Sequence, residues 1–145
     1  MPTLYTIGYE KLLPGQLAAE LEAAGVKRVL DVRIRPQSRR PGMSKTRLGD
    51  LLAQHGIAYE ARQALGTPHD IRDLFRAGRL DEARPAYRAH LERERAHEVD
   101  GLAQELGTAA PTALLCLEAD PRHCHRDVIA EALRERRPDL RVIDL

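Results

Sequence analysis

The chain has 145 residues, of which 43% are hydrophobic and 31% charged, a composition typical of one soluble globular domain and not of a disordered chain. Its formal net charge is only +1, so the sequence does not predict a general electrostatic attraction to nucleic acid. No apolar run approaches the roughly 18–20 residues of a membrane-spanning helix. We therefore expect a cytoplasmic protein with no membrane partner. In that compartment its two cysteines are free thiols, metal ligands or a redox pair rather than a structural disulfide.

The first part of the chain alternates between strand and helix signals. Residues Thr3 to Ile7 form a β-prone run that Gly8 closes. Pro14 suits the first turn of a helix that stops at Gly25. Residues Val26 to Val32 contain no internal glycine or proline, which predicts a buried parallel strand.

The alternation continues through the middle of the chain. Ser44 is placed to cap a helix that ends at Gly56, and a short strand is predicted from Ile57 to Tyr59. Asp70 is expected to cap the next helix. The charged stretch from Asp81 to Leu106 predicts one helix or two, with a mainly solvated surface.

Three elements complete the pattern: a buried strand from Thr112 to Leu117, a helix ending near Arg137, and a strand from Arg141 to Ile143. Strands that alternate with helices are typical of α/β proteins. We therefore predict a single three-layer α/β domain over residues 1–145, built on a mainly parallel open sheet of about four or five strands flanked by helices.

Chemistry-bearing residues cluster at two predicted strand ends. Alternation of side chains along a strand places Asp31 with Arg33, and Cys116 with Glu118. The carboxyl ends of parallel strands form the ligand crevice of open α/β folds. Gly8 with Tyr9 would follow the first strand at the same edge. Cys116 has an alternative interpretation as a small buried hydrophobic residue.

The segment Cys124-His125-Arg126 begins the predicted last helix, after Asp120 and Pro121. A helix N-terminus favours anions and lowers the pKa of a thiol held there. Arg126 could clamp a phosphate, sulfate or carboxylate, or could instead tie strand ends together through Asp31 or Glu118.

No metal site or cofactor is predicted. Cys116, Cys124, His123 and His125 carry ligand atoms, and Glu118 or His69 could complete a set, but no standard zinc spacing occurs. In addition, the adjacent Cys124 and His125 cannot both point one way along a regular helix.

An arginine-rich segment, Arg33 to Gly42, follows the second strand and contains Ser38 and Arg39. Such a run is usually a solvated loop, but here it could fold over the crevice as an anion-binding lid. Nucleic acid is an alternative partner, although no aromatic stacking platform accompanies the arginines.

Several motifs occur in order along nearly the whole chain. They are Tyr5-Thr6-Ile7-Gly8-Tyr9, Asp31-Val32-Arg33, Ser38-Arg39, Leu65-Gly66, Leu115-Cys116-Leu117-Glu118 and Cys124-His125-Arg126. Together they resemble the prokaryotic family known as domain of unknown function 488. The family usually has Ser where this chain has Glu10. The resemblance implies a cytosolic α/β domain and carries no established activity. A weaker, fold-level likeness to rhodanese-type sulfurtransferases rests on a strand ending in Asp-Val-Arg and a later strand ending in Cys.

Two functions follow as hypotheses. In the first, the protein is an enzyme for a small anionic or nucleotide-like substrate, with Arg33, Arg39 and Arg126 binding the negative charge, and Gly8, Tyr9 and Ser38 beside them. Asp31 or Glu118 would be the general acid or base, Cys116 or Cys124 the nucleophile, and His125 its activator. In the second, the protein is a non-catalytic module that binds nucleic acid or a regulatory partner through the arginine-rich loop. The sequence predicts no oligomeric state.

Overall fold

The computed structural model describes residues 2–145. Its strands are β1 (Thr3–Gly8), β2 (Arg28–Asp31), β3 (Ala58–Ala61), β4 (Thr112–Cys116) and β5 (Arg141–Asp144). They form one sheet in the order β3-β2-β4-β1-β5, and every pairing is parallel. The predicted α/β domain with an open parallel sheet is therefore confirmed.

Six α-helices connect the strands in the described range: α1 (Pro14–Ala23), α2 (Lys45–Gln54), α3 (His69–Arg76), α4 (Leu80–Glu94), α5 (Ala96–Glu105) and α6 (His125–Arg136). Short 3₁₀ turns lie at Gln63–Leu65 and Pro121–His123. The charged stretch thus forms two helices, separated at Arg95, where φ is −130°. None of the described helices has the length and apolar character needed to cross a membrane.

The sheet is the middle of three layers. One face packs against α1 and α2 through residues such as Ile7, Val29 and Leu115. The other face packs against the remaining helices through Leu30 and Leu114. Because side chains alternate along a strand, successive residues pack into the cores on opposite faces of the sheet. Both faces are covered by helices, so β4 is buried at every position.

Two predicted helix caps differ in the structure. The assignment of Asp70 as a cap is wrong: α3 begins at His69 with Pro68 at the N-cap, and Asp70 lies in the first turn, where its charge still suits the helix dipole. Ser44 does occupy the N-cap of α2, but its hydroxyl makes no capping hydrogen bond. Instead its Oγ accepts from the amide of Ser38 at 3.0 Å and so ties down the arginine-rich loop.

The strand order favours a ligand-binding crevice at the carboxyl edge of the sheet. β2 and β4 are neighbours, yet the chain leaves β2 towards β3 and leaves β4 in the opposite direction towards β5, so the two connections diverge. Open α/β sheets bind ligands where neighbouring connections separate in this way. The ends of β1, β2 and β4 all reach this edge, as predicted from their sequences.

Candidate functional site

A crevice with a cavity volume of about 140 Å³ opens at this edge, beyond the ends of β2 and β4. Its floor contains Cys116, Cys124 and His125, and Glu118 lies on its wall. Tyr9 and Arg33 contribute from the neighbouring strand ends. The structure therefore brings most of the predicted site residues to one cavity.

The two cysteines and His125 form a compact buried cluster. The Sγ atoms of Cys116 and Cys124 each lie 3.6 Å from His125 Nδ1. All three atoms lie within 4.8 Å of one another, and the cysteines are free thiols. On the other side of the ring, His125 Nε2 lies 2.7 Å from the Val32 carbonyl oxygen. A carbonyl only accepts, so Nε2–H donates to it, and in the neutral ring Nδ1 presents its lone pair to both sulfurs.

The local backbone explains how two adjacent residues converge. Cys124 is the N-cap of α6 with φ −128° and ψ 148°, whereas His125 is the first residue of the helix. Because Cys124 has extended backbone geometry, helical periodicity does not set its direction. The expectation that Cys124 and His125 must diverge therefore does not hold.

Burial and mutual contacts shift the pKa values of the cluster in opposite directions. The hydrogen bond with Cys124, together with burial, raises the pKa of Cys116 well above its ordinary value. Burial would also raise the pKa of Cys124, but the contacts with Cys116 and with the His125 ring lower it well below the usual range. Burial, and then the charge of Cys124, raise the pKa of Glu118. Its Oε2 lies 3.6 Å from Cys116 Sγ, at the margin of the cluster.

Asp31 and Arg33 form a buried ion pair beside the crevice. The Arg33 Nη2 donates to Asp31 Oδ2 at 2.7 Å and its Nε donates to Oδ1 at 2.9 Å. Tyr59 donates its hydroxyl to the same carboxylate at 2.5 Å. Burial and this hydrogen bond raise the pKa of Tyr59, so its hydroxyl stays protonated and remains a donor. Asp31 is 0% exposed and its oxygens are occupied by donors, which leaves it little freedom to exchange protons with a substrate.

The remaining donors of Arg33 are also engaged. Its Nη1 donates to the Met43 carbonyl at 2.8 Å and to the Tyr9 hydroxyl at 3.2 Å. Burial alone would lower the pKa of Arg33, but its hydrogen bonds with Asp31 raise it. Arg33 therefore lies on the crevice wall as a cation that is already neutralised.

Arg126 is fully buried and binds backbone carbonyls. Its Nη1 donates to the Glu118 carbonyl at 2.6 Å and its Nη2 to the Ala119 carbonyl at 3.2 Å. The sequence left two roles open for Arg126, an anion clamp and a tie between strand ends. The geometry matches a tie, although the acceptors are main-chain oxygens rather than the carboxylates of Asp31 or Glu118. Arg126 holds the loop after β4 against the start of α6.

Gly8 is required by close packing against the same loop. A Cβ atom on Gly8 would lie 1.7 Å from the carbonyl oxygen of Glu118. The segment after Gly8 also contacts the loop after β4, since the Glu10 amide donates to the Leu117 carbonyl at 2.8 Å. Glu10 also accepts from the Ala119 amide through its side chain at 3.0 Å, which gives this position a structural role.

Ser38 and Arg39 lie outside the crevice. They line a second, more open cavity formed by the arginine-rich loop and the start of α2. Arg40 anchors this loop, donating to the carbonyls of Tyr9 and Leu12, both at 2.6 Å. Arg39, in contrast, is exposed.

The crevice also contains residues that sequence reasoning missed. These include Arg35, Gln37, Thr67, Arg72, Phe75 and Arg76. Arg72 and Arg76 are one helical turn apart on α3, so they share a face. The sequence offers no signal that α3 borders the crevice, because that placement depends on tertiary packing. Arg35 lies in the arginine-rich loop and could have been found there.

The chain matches a known protein family. The model of a family described as "Domain of unknown function DUF488" matches residues 15–133, which is most of the chain. The chain therefore belongs to the DUF488 family. No curated protein and no solved structure matches the chain significantly, so the likeness to rhodanese-type domains stays a prediction.

Proposed function

We propose that the protein is an enzyme acting on a small anionic or nucleotide-like substrate in the crevice at the ends of β2 and β4. The observation that carries the proposal is that one cavity combines the Cys116–Cys124–His125 cluster with a border of arginines. Reactive groups beside unneutralised cations are the arrangement that an anionic substrate requires.

Three arginines supply the binding charge in this proposal. Arg35, Arg72 and Arg76 line the crevice, and in the part of the chain that the structure describes none of them forms an ion pair. Guanidinium groups bind phosphate, sulfate and carboxylate oxygens through paired hydrogen bonds. These three are better placed for this task than Arg33, whose donors are directed at protein oxygens, or Arg126, which is fully buried and does not line the crevice.

Of the two carboxylates predicted as acid or base, Glu118 fits the proposal better. Glu118 is half-buried on the crevice wall, whereas Asp31 is enclosed by donors. A carboxyl group beside the bound substrate and within reach of the cluster could exchange a proton with it. The cluster itself supplies the sulfur and imidazole groups of the reaction centre.

Binding of inorganic phosphate, pyrophosphate and nucleoside monophosphates, measured by isothermal titration calorimetry, tests the first half of this proposal. The double variant Arg72→Gln/Arg76→Gln should weaken binding about tenfold or more, since each lost charge-assisted hydrogen bond contributes about 1.5–3 kcal/mol. Arg39→Gln is the matched control, because it removes an exposed arginine outside the crevice. Unchanged affinity in the double variant would contradict an arginine-bordered anion site.

The catalytic half needs a separate readout. Wild-type protein and Glu118→Gln are incubated with the same nucleotides and phosphate esters, and products are followed by phosphorus NMR. Conversion by the wild type that is lost in Glu118→Gln, with binding retained, supports an enzyme. Binding without conversion across the whole panel contradicts the catalytic part and leaves a binding module.

Exposed cations of the arginine-rich loop and of the start of α2 favour a second candidate function, nucleic-acid binding. Arg39, Lys45 and Arg47 are exposed around the second cavity. Phosphate contacts of this kind make affinity fall steeply with salt. Fluorescence anisotropy with a single-stranded oligonucleotide should show binding that weakens in Arg39→Gln/Arg47→Gln. Arg40 is left unchanged because it anchors the loop. No binding at low salt would remove this alternative.

A further inference from the structure

The distances within the Cys116–Cys124–His125 cluster match a metal coordination shell. A tetrahedral zinc ion with Zn–S of about 2.3 Å and Zn–N of about 2.0–2.1 Å places sulfur and nitrogen ligands about 3.5–3.6 Å apart. Both Sγ–Nδ1 distances in the structure are 3.6 Å. The two sulfurs lie within the 4.8 Å span of the cluster, which accommodates the sulfur–sulfur separation of about 3.8 Å that the same geometry requires.

The outer contacts of the cluster also suit a metal ligand. A ligating histidine almost always donates its second ring N–H to a carbonyl or carboxylate, which fixes the ring and its tautomer. His125 does so through Nε2, which lies 2.7 Å from the carbonyl oxygen of Val32. His125 is buried, and its ring packs edge-on against Tyr87, with centroids 5.3 Å apart. The ring, and with it the Nδ1 atom, is therefore held in place before any ligand arrives.

The donor set narrows the choice of ion. Thiolates are soft ligands and imidazole is a borderline one, and both suit Zn²⁺, whereas Mg²⁺ and Ca²⁺ prefer oxygen. Closed structural zinc sites use four protein ligands, while catalytic sites use three and leave one position open. The compact cluster offers three ligand atoms, and all three residues line the crevice.

We propose that Cys116, Cys124 and His125 bind one zinc ion in the reduced protein, with the fourth coordination position open to the crevice. Both thiols release their protons on binding, so the ligands are two thiolates and a neutral imidazole. The Glu118 carboxylate lies at the margin of the cluster, with Oε2 3.6 Å from Cys116 Sγ. This proposal goes beyond the anion-binding crevice and does not depend on it, because the ligand atoms are separate from Arg72 and Arg76.

Metal content of the full chain is the direct test. Protein produced with zinc in the medium and purified under reducing conditions should carry about one zinc ion per chain by elemental analysis, as expected for a three-ligand protein site. Cys116→Ser, Cys124→Ser and His125→Asn should each lose most of it. His123→Ala is the control, since His123 lies at the same crevice but is exposed and outside the cluster. Zinc retained equally by all three ligand variants would overturn the proposal.

A second measurement keeps the proposal testable if a ligand variant fails to fold. Cobalt(II) added to the metal-free wild type should produce thiolate charge-transfer absorption and the visible bands of a four-coordinate ion. X-ray absorption of the zinc form should show two sulfurs at about 2.3 Å and nitrogen at about 2.0–2.1 Å. Reduced, folded wild type that binds neither ion would overturn the proposal.

Thiol alkylation then separates this proposal from the proposed function. In the zinc form, both cysteines should resist alkylation until a chelator removes the metal. If the metal-free protein is alkylated rapidly and added zinc does not change the alkylation rate, the metal site is overturned in favour of a thiol nucleophile. Phosphate binding that depends on Arg72 and Arg76 would be unaffected by that result, so the two failures are distinguishable.

Discussion

Replacing Asp31 by Asn should destabilise the protein strongly. The Asp31 carboxylate accepts from Arg33 Nη2, Nε and main-chain N at 2.7, 2.9 and 3.1 Å, and from Tyr59 at 2.5 Å. An asparagine keeps one acceptor oxygen but turns a donor NH₂ group towards other donors. Arg33, only 6% exposed, would then be a buried cation without a counter-ion. Leaving such a charge unpaired costs about 3–5 kcal/mol, a large share of the roughly 5–15 kcal/mol that stabilises a typical domain.

Equilibrium denaturation in guanidinium chloride, followed by far-ultraviolet circular dichroism, measures this loss. Tyr59→Phe is the matched control, since it removes one neutral donor to the carboxylate and leaves the ion pair, so it should cost less, about 1.5–3 kcal/mol. The double variant Asp31→Asn/Arg33→Met removes the orphaned cation, so it should be more stable than Asp31→Asn alone. A loss below about 1 kcal/mol for Asp31→Asn would refute the argument, as would a double variant less stable than the single one.

Two other perturbations probe features around the site and the sheet. Gly8→Ala should destabilise the protein by more than about 2 kcal/mol, because the new methyl group collides with the Glu118 carbonyl. Gly15→Ala in α1 should instead stabilise the protein by about 0.5–1 kcal/mol in the same assay, because the new methyl group meets nothing within 4 Å. Equal effects of the two would show that the Gly8 contact relaxes freely. Hydrogen bonds from Arg62 lower the pKa of Glu105 from its ordinary value of 4.5. The ionised carboxylate therefore stabilises the fold above pH 4.5, and this stabilisation is lost as the pH falls through the lowered pKa of the folded protein. Glu105→Gln should therefore cost at most about 1 kcal/mol at pH 7, since the side chain is partly exposed, and the difference from wild type should vanish in acid; a difference that persists there would contradict the ion pair.

The fold was largely predictable because each element carries a local signal. The apolar run around Val29 and the β-prone run after Thr112 predict strands, and the intervening helices have proline or glycine at their ends. The order of the strands was not predictable in the same way. Nothing near Arg28 in the sequence indicates that it pairs with Thr112, because register depends on long-range packing.

The site was predictable in part for the same reason. Strand-end position was enough to bring Cys116 and Glu118 to the crevice, since parallel strands end at one edge. The convergence of Cys124 with His125 was missed because helical periodicity was applied to a residue that lies outside the helix. Arg72 was missed because its place in the site is set by how α3 packs, and no local pattern encodes that packing.

The central position of β4 has a consequence for how the chain folds. β1 and β2 are not hydrogen-bonded to each other; β4 lies between them, although in the sequence it follows β2 by about 80 residues and β1 by about 100. A growing chain that has not yet produced β4 therefore lacks the strand that joins its two earlier halves. Closing such distant contacts is slow, and unpaired strand edges expose the chain to aggregation in the meantime. β4 ends in Cys116, and Val32, just past β2, orients His125 through its carbonyl. The Cys116–Cys124–His125 cluster therefore forms only after β4 has paired between β1 and β2.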